Sequence, residues 1–189
     1  ADCARLREEG LESLVLDYQD EASIDRAFEA AMARTGGRLD ALFNNGAFAQ
    51  PGAVEDLPTD ALRAIFEANF FGWHALTRRA LPVMRAQGHG RILQNSSVLG
   101  FVALRMRGAY ISTKFALEGY TDTFRLELRG TGIHAILLEP GPVRSRIREN
   151  ARAHYERWID RAASLWAGPP RRARAATAAR TRARRGDPA

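Results

Sequence analysis

The sequence predicts an α/β domain in which helices cover both faces of a parallel sheet. Short, nearly continuous apolar runs alternate along the chain with long segments whose apolar residues recur at helical spacing. Most of these runs end in a turn that contains asparagine, serine, glycine or proline. A strand that is apolar throughout is typical of a sheet buried on both faces, and parallel βα units produce that arrangement.

Strands and long helices are predicted to alternate along the chain. The strands are the apolar runs at 11–18, 39–46, 90–97 and 132–141. The helices lie at 20–34, 59–87 and 108–130. Glycines stop the first and the last helix, whereas Pro82 is expected to kink the second one without ending it. Ser23 is a candidate cap for the first helix.

The positive charge of the chain is confined to its C-terminal part. The net charge is +6, and residues 171–189 carry seven arginines against the single acid Asp187, so residues 1–170 are neutral overall. From residue 168 onwards the sequence has no leucine, isoleucine, valine or aromatic residue. Such a segment cannot bury enough apolar area to offset chain entropy. We therefore predict one folded domain over 1–167 and a disordered tail over 168–189.

Composition also argues against several classes of protein. Binding of nucleic acid or an anionic surface through residues 171–189 is an alternative, which ranks last because no aromatic residue accompanies the arginines. No apolar run reaches the length of a membrane span. The single Cys3 cannot form an internal disulfide, which favours the cytoplasm as the location. The four histidines show no metal-ligand spacing, so no metal site is expected.

Tyr110 and Lys114 form the pair of residues that points most directly to chemistry. Lys114 is the only lysine among 28 basic residues, and it lies four positions after Tyr110, on the same face of the predicted helix. A tyrosine has a pKa of about 10, and a cation beside it favours the phenolate and lowers that pKa. An exposed lysine and a packed tyrosine would be the ordinary interpretation, but a chain that otherwise uses only arginine weakens it.

The ends of the predicted strands should form one continuous rim. In an open parallel sheet, ligands bind outside the carboxyl ends of the strands. The turns at these ends are Asp17-Tyr18, Asn44–Ala47, Ser96–Gly100 and Pro140–Val143. A single such turn is explained by ordinary turn chemistry. Four of them beside the Tyr110–Lys114 helix instead indicate a binding crevice.

These residues resemble the classical short-chain dehydrogenases/reductases. The resemblance covers roughly residues 5–150 and includes the Tyr-x-x-x-Lys motif at 110–114, Ser97 thirteen positions before the tyrosine, Asn69 in the preceding helix, and the turns at 44–47 and 140–141. It implies a Rossmann-like doubly wound sheet and hydride transfer between NAD(P)(H) and a carbonyl or secondary alcohol. The subgroup that the chain looks most like contains NADP-dependent enzymes of aliphatic, retinoid or steroid-like carbonyls, which favours NADP(H) over NAD(H).

The resemblance also implies residue roles. Tyr110 would be the general acid or base, and Ser97 would bind the substrate oxygen. Lys114 would tune Tyr110 and hold the nicotinamide ribose. Asn69 would hold a relay water, with a helix-bend asparagine as the alternative interpretation. The cofactor would be lined by Asp17, Tyr18, Asn45, Gly46, Ala47, Tyr110, Lys114, Pro140, Gly141, Val143 and Ser145. An apolar pocket for a small carbonyl or alcohol substrate would use Phe101, Val102, Leu104 and the segment after 145, although core packing would explain the first three equally well. A second copy of the chain is a candidate partner.

The sequence departs from the family pattern in its phosphate-binding part. No G-x-G-x-x-G occurs, and the family's first two strands and glycine-rich turn are expected to be missing, so the sheet would be partial. Those two strands lie between the equivalents of 13–17 and 40–44 in the family. The strand at 13–17 is therefore predicted either to pair with 40–44 or to remain unpaired. An inactive, truncated remnant or interaction module that keeps the four catalytic residues is the main alternative.

Overall fold

The computed structural model describes residues 3–166 of the chain. The helices are α1 (Cys3–Glu8), α2 (Glu21–Arg34), α3 (Thr59–Phe66), α4 (Gly72–Gln87), α5 (Gly108–Glu127) and α6 (Ile147–Trp158). The strands are β1 (Ala41–Asn44), β2 (Gly90–Asn95) and β3 (Ile133–Leu138). Two single-turn 3₁₀ helices, Val54–Asp56 and Val98–Gly100, and a π-helical turn, Glu67–Phe71, complete the elements. The predicted tail at 168–189 and the last residue of the predicted domain lie outside the described residues.

The α/β class is confirmed, with a parallel sheet in the order β1-β2-β3. Leu42 of β1 is in register with Ile92 of β2, which is in register with Ala135 of β3. Apolar side chains of α4, α5 and the strands form the core beneath the sheet, a cluster that consists of Ala80, Met84, Ile92, Phe124, Leu128, Ile133 and Ala135. Because β1, β2 and β3 are parallel, their carboxyl ends lie at one edge of the sheet, where the site is expected.

The predicted strand at 11–18 is wrong, because within the described residues this segment forms no strand. Leu11, Val15 and Leu16 are exposed by 54%, 72% and 36%, so the apolar run is not buried between helices. The sheet ends at β1, whose Phe43 is 48% exposed. Of the two predicted outcomes, pairing with 40–44 or remaining unpaired, the structure has the second. An apolar run becomes a strand only when a neighbour satisfies its backbone groups.

A short hydrogen-bond network fixes the start of α2. The N-cap is Asp20, whose carboxylate accepts from the Ala22 N–H. Ser23, the predicted cap, instead accepts from the Asp17 N–H with its Oγ at 3.0 Å. It therefore anchors the preceding segment to the helix rather than capping it.

The long helix predicted at 59–87 is interrupted by the π-helical turn Glu67–Phe71, which separates α3 from α4. Pro82 lies inside α4 and does not end it, as expected. The π turn widens the helix by one residue and is a feature that recurs at functional sites. Here it contains Asn69, which is fully buried.

Gly72 allows the segment around Tyr18 to lie directly on α4. A Cβ added at Gly72 would stand 2.3 Å from the Tyr18 carbonyl oxygen, which is a backbone atom that cannot rotate away. We expect Gly72→Ala to lower the free energy of unfolding by about 1–3 kcal/mol. The matched control is Gly119→Ala in α5, where an added Cβ meets nothing within 4 Å. It should raise stability by about 0.5–1 kcal/mol. Denaturant unfolding measures both variants, and equal stabilities would contradict this packing.

Candidate active site

The site is built where β2 ends and α5 begins. After Asn95 the chain turns through Ser96 and Ser97, and Ser97 caps the 3₁₀ turn by accepting from the Leu99 N–H at 3.1 Å. The Val98 N–H donates to the Pro140 carbonyl oxygen at 3.1 Å, which ties this turn to the one after β3. The carboxyl ends of β2 and β3 therefore form one rim. Of the four strand ends predicted to share it, the one at 17–18 does not follow a strand.

Tyr110 and Ser97 meet at this rim. The Ser97 hydroxyl lowers the pKa of Tyr110, but burial has the larger effect and raises that pKa above its ordinary value. The predicted lowering of the Tyr110 pKa by Lys114 is therefore not found in the chain by itself. The phenol remains protonated at neutral pH, the state that a proton donor requires.

Lys114 is buried to 1% exposure beside Tyr110. Its ammonium donates to the Asn95 carbonyl oxygen at 2.7 Å and lies 4.5 Å from the centre of the Trp73 ring and 5.5 Å from that of Tyr110. Burial lowers the pKa of Lys114 from 10.5 to about 7. Lys114 therefore has little effect on the pKa of Tyr110, because it loses its own proton easily and its side-chain nitrogen faces the Asn95 carbonyl.

Trp73 is a site residue that the sequence analysis missed. Its indole Nε1 donates to the Gly46 carbonyl oxygen at 2.8 Å, and its ring packs under the Lys114 ammonium. One fully buried side chain therefore connects the turn after β1 to the lysine. Its position in a helical pattern indicates only core packing. The single signal was the indole N–H, which needs a partner when it is buried.

Asn69 holds the backbone of the loop after β1. Its Oδ1 accepts from the Phe48 N–H at 3.1 Å and its Nδ2 donates to the Phe48 carbonyl oxygen at 3.0 Å. Nδ2 also lies 3.4 Å from the hydroxyl of Thr113, the neighbour of Lys114. These contacts join the π turn, the loop and α5 at one point. They favour a bracing role for Asn69.

Removing the Asn69 amide should loosen this junction. We expect Asn69→Ala to lower the free energy of unfolding by about 2–3 kcal/mol, because two backbone groups of the half-buried Phe48 lose their partners. Asn150→Ala, the same change on the exposed side of α6, should stay within about 0.5 kcal/mol of the parent chain. Chemical denaturation of both variants compares them, and equal effects would show that the Phe48 contacts contribute nothing.

The predicted cofactor residues near β1 are brought together by Tyr18. The Tyr18 ring lies over Gly46, where an added Cβ would stand 2.5 Å from a ring carbon, and burial raises the pKa of Tyr18 against the effect of a hydrogen bond to the Gly46 backbone. Asp17 uses its carboxylate to accept from the Gln19 N–H at 2.9 Å and is exposed, as are Asn45 and Ala47. The close approach that Gly46 permits is therefore to Tyr18.

The predicted residues after β3 lie on an exposed loop that leads to α6. Pro140 is half-buried, whereas Gly141, Val143 and Ser145 are exposed, and Ser145 Oγ is 3.5 Å from the Ile147 N–H at the start of the helix. The three candidate pocket residues are also exposed, namely Phe101 by 57%, Val102 by 42% and Leu104 by 56%. Core packing, the alternative for these three, is thereby excluded.

Comparison with known proteins identifies the family. The family model described as short chain dehydrogenase matches residues 2–156. The chain belongs to the short-chain dehydrogenase family. It is 40% identical over 149 residues to an uncharacterized oxidoreductase, YbbO, of Escherichia coli, covering 79% of this chain and 55% of that protein. It is 34% identical over 151 residues to human 17-beta-hydroxysteroid dehydrogenase type 1, covering 80% of this chain and 45% of that enzyme.

One of the solved structures that the chain resembles has the same fold. The gluconate 5-dehydrogenase of Burkholderia cenocepacia, crystallised with NADP and tartrate, superposes with a TM-score of 0.69 at 26% identity, over 77% of this chain and 58% of that one. The chain thus has the Rossmann-like fold of NAD(P)-dependent oxidoreductases, with three strands in its described part. It spans about half the length of the curated relatives that it matches.

The residues that the family would use at the nicotinamide end suit that group. A lysine ammonium has three N–H donors, and the hydrogen bonds found within residues 3–166 engage one of those of Lys114. Asn95 Oδ1, on the residue whose carbonyl Lys114 binds, is buried and has no hydrogen-bond partner in this part of the chain. The described residues contain no counterpart of the glycine-rich phosphate turn. The fit therefore concerns the ribose and nicotinamide only.

Two other properties of residues 3–166 bear on the predicted partners. No helix in this range is long and apolar enough to cross a membrane. The same residues contain no group of three or more histidine, cysteine, aspartate or glutamate side chains placed to hold a metal ion.

Proposed function

We propose that the chain carries the proton-transfer part of an oxidoreductase that moves a hydride between NAD(P)(H) and a carbonyl or secondary alcohol. The observation that supports it most is the junction of three side chains at the rim of the sheet. The Ser97 hydroxyl acts on the pKa of Tyr110, and the buried Lys114 ammonium lies 5.5 Å from the Tyr110 ring. Proton exchange with a substrate oxygen needs this combination of hydroxyl groups and a cation.

In the direction of carbonyl reduction, Tyr110 donates its proton to the substrate oxygen while Ser97 donates a hydrogen bond to the same oxygen. The raised pKa of Tyr110 keeps this proton in place until the oxygen gains charge. Lys114, when protonated, then stabilises the phenolate that remains. A bound nicotinamide would supply the hydride. In the direction of alcohol oxidation, the Tyr110 phenolate would be the base.

Asn69 contributes to this site by holding its surroundings in place. One lone pair of Oδ1 accepts from the Phe48 N–H, and an amide oxygen has two. The second lone pair is the one that a relay water would use, so the bracing and relay roles are compatible. Asp17, Tyr18, Asn45, Gly46 and Ala47 on one side, and Pro140, Gly141, Val143 and Ser145 on the other, are proposed to line the cofactor.

The cofactor and substrate are proposed to be NADP(H) and a small apolar carbonyl or alcohol. A relative crystallised with NADP supports the first, and a relative named as a hydroxysteroid dehydrogenase supports the second. The exposed Phe101, Val102 and Leu104 beside Ser97 offer apolar surface for such a substrate. We further propose cytoplasmic location, a homo-oligomeric state and a domain that ends at residue 167.

Titration with NADPH and NADH tests the proposal. Binding is followed by cofactor fluorescence on this chain and on a fusion in which the first strand, glycine-rich turn, helix and second strand of a relative precede residue 1. Tighter binding of NADPH by the fusion would support both the function and the cofactor preference. Absence of binding by both proteins would overturn the function and leave the remnant or interaction module as the better explanation.

A further inference from the structure

Glu118 shares the face of α5 that carries the catalytic residues. Tyr110, Lys114 and Glu118 follow one another at intervals of four, so they lie in a row with Lys114 in the middle. The Glu118 carboxylate accepts from the hydroxyl of Ser96, which is 3% exposed and precedes Ser97. A Cβ added at Gly100 would stand 2.6 Å from the same carboxylate oxygen. Glu118 is therefore packed against the turn after β2.

We propose that Glu118 is a positioning residue that braces the turn carrying Ser97 and places a negative charge on the helix face of Lys114. Only the catalytic use of the Lys114 charge depends on the proposed function. The physical basis of the inference is independent of any cofactor, because it concerns two side chains of the same helix.

The surroundings of Lys114 explain why a carboxylate is needed. The ammonium faces the Trp73 ring of α4, the Asn95 carbonyl at the end of β2 and the Tyr110 ring on its own helix, and none of these groups carries a negative charge at neutral pH. A buried ammonium without a nearby anion loses its proton easily. Glu118 opposes that loss, since its charge raises the pKa of Lys114 against the larger effect of burial.

Other charges act on Glu118 itself. Burial, Glu139 just after β3 and Asp122 on α5 raise its pKa, whereas the hydrogen bond from Ser96 and the charge of Arg125 lower it. The Ser96 hydroxyl thus has two effects. It fixes the direction of the carboxylate, and it favours the ionised form that Lys114 needs.

Titration of Lys114 tests the proposal directly, because this residue is the only lysine in the chain. Labelling with [13Cε]lysine gives one side-chain NMR signal, whose shift against pH reports the Lys114 pKa without any cofactor. In Glu118→Gln the amide still reaches Ser96 but the charge is gone. We expect the Lys114 pKa to fall by about one unit in this variant.

Two further variants separate charge from packing. Glu118→Asp keeps the charge and should preserve the pKa to within about 0.3 units, whereas Glu127→Gln, the same change at the exposed end of α5, should leave it unchanged. A pKa that does not fall in Glu118→Gln overturns the proposal. Equal falls in the Gln and Asp variants would also overturn it, because they would assign the effect to packing. Failure of both the parent chain and the fusion to bind NADPH would instead count against the proposed function.

Discussion

Replacing Tyr110 by phenylalanine is expected to remove most of the turnover of the protein. The change deletes the hydroxyl whose pKa Ser97 influences and leaves the ring, which packs near Lys114, in place. Because general acid catalysis contributes about 10²–10⁴-fold, kcat for reduction of an apolar ketone by NADPH should fall by that factor. The affinity for NADPH should change by less than about threefold, since Lys114 remains.

Tyr120→Phe is the matched control for this experiment. It removes a hydroxyl from the same helix, where Tyr120 is 2.9 Å from His74 Nδ1 and away from Ser97. Its kcat should stay within about twofold of the parent value. Both variants are assayed in the fusion that carries the glycine-rich segment. Unchanged turnover in Tyr110→Phe would exclude Tyr110 as the proton donor.

The sequence predicts the part of the fold that local patterns determine. β1, β2, β3 and the long helices lie where the apolar runs and helical spacing place them, because each of these patterns is satisfied by a neighbouring element. The segment 11–18 has the same kind of apolar run but forms no strand in the structure. Whether this segment forms a strand depends on which strand lies beside it, and that is a property of the whole sheet.

The site shows a similar division between local and long-range information. Spacing alone brings Tyr110 and Lys114 to one helix face, and a strand end brings Ser97 to them. The π turn at Asn69 and the stacking of Trp73 under Lys114 depend on contacts between residues far apart in the chain. Glu118 is different, since its distance of four residues from Lys114 could have been read from the sequence.

The burial of Lys114 should make the stability of the chain depend on pH in a way that a single substitution removes. The pKa of Lys114 is about 7 in the folded chain, against an ordinary value of 10.5. Between these values the unfolded chain binds a proton that the folded chain does not. The free energy of unfolding therefore rises with pH across this window, by about 1.4 kcal/mol per unit where the slope is steepest.

Lys114→Met keeps the length and apolar character of the side chain and removes the titrating group. At about pH 6 the variant should be more stable than the parent chain by a few kcal/mol, on the order of the desolvation that the ammonium no longer suffers. Towards about pH 10 the order should reverse, because the neutral amine still satisfies the Asn95 carbonyl and methionine leaves it unpaired at a cost of about 1–3 kcal/mol.

Urea denaturation across this pH range measures the difference in free energy of unfolding between the two proteins. The titration of all other groups cancels in this difference. Leu117→Met, a substitution at a buried position of the same helix, should give a curve parallel to that of the parent chain. Parallel curves for Lys114→Met as well would mean that the ammonium is not buried. A crossing would show that the chain gives up stability at neutral pH to hold its one lysine beside Tyr110, which is the compromise expected of a residue kept for chemistry rather than for folding.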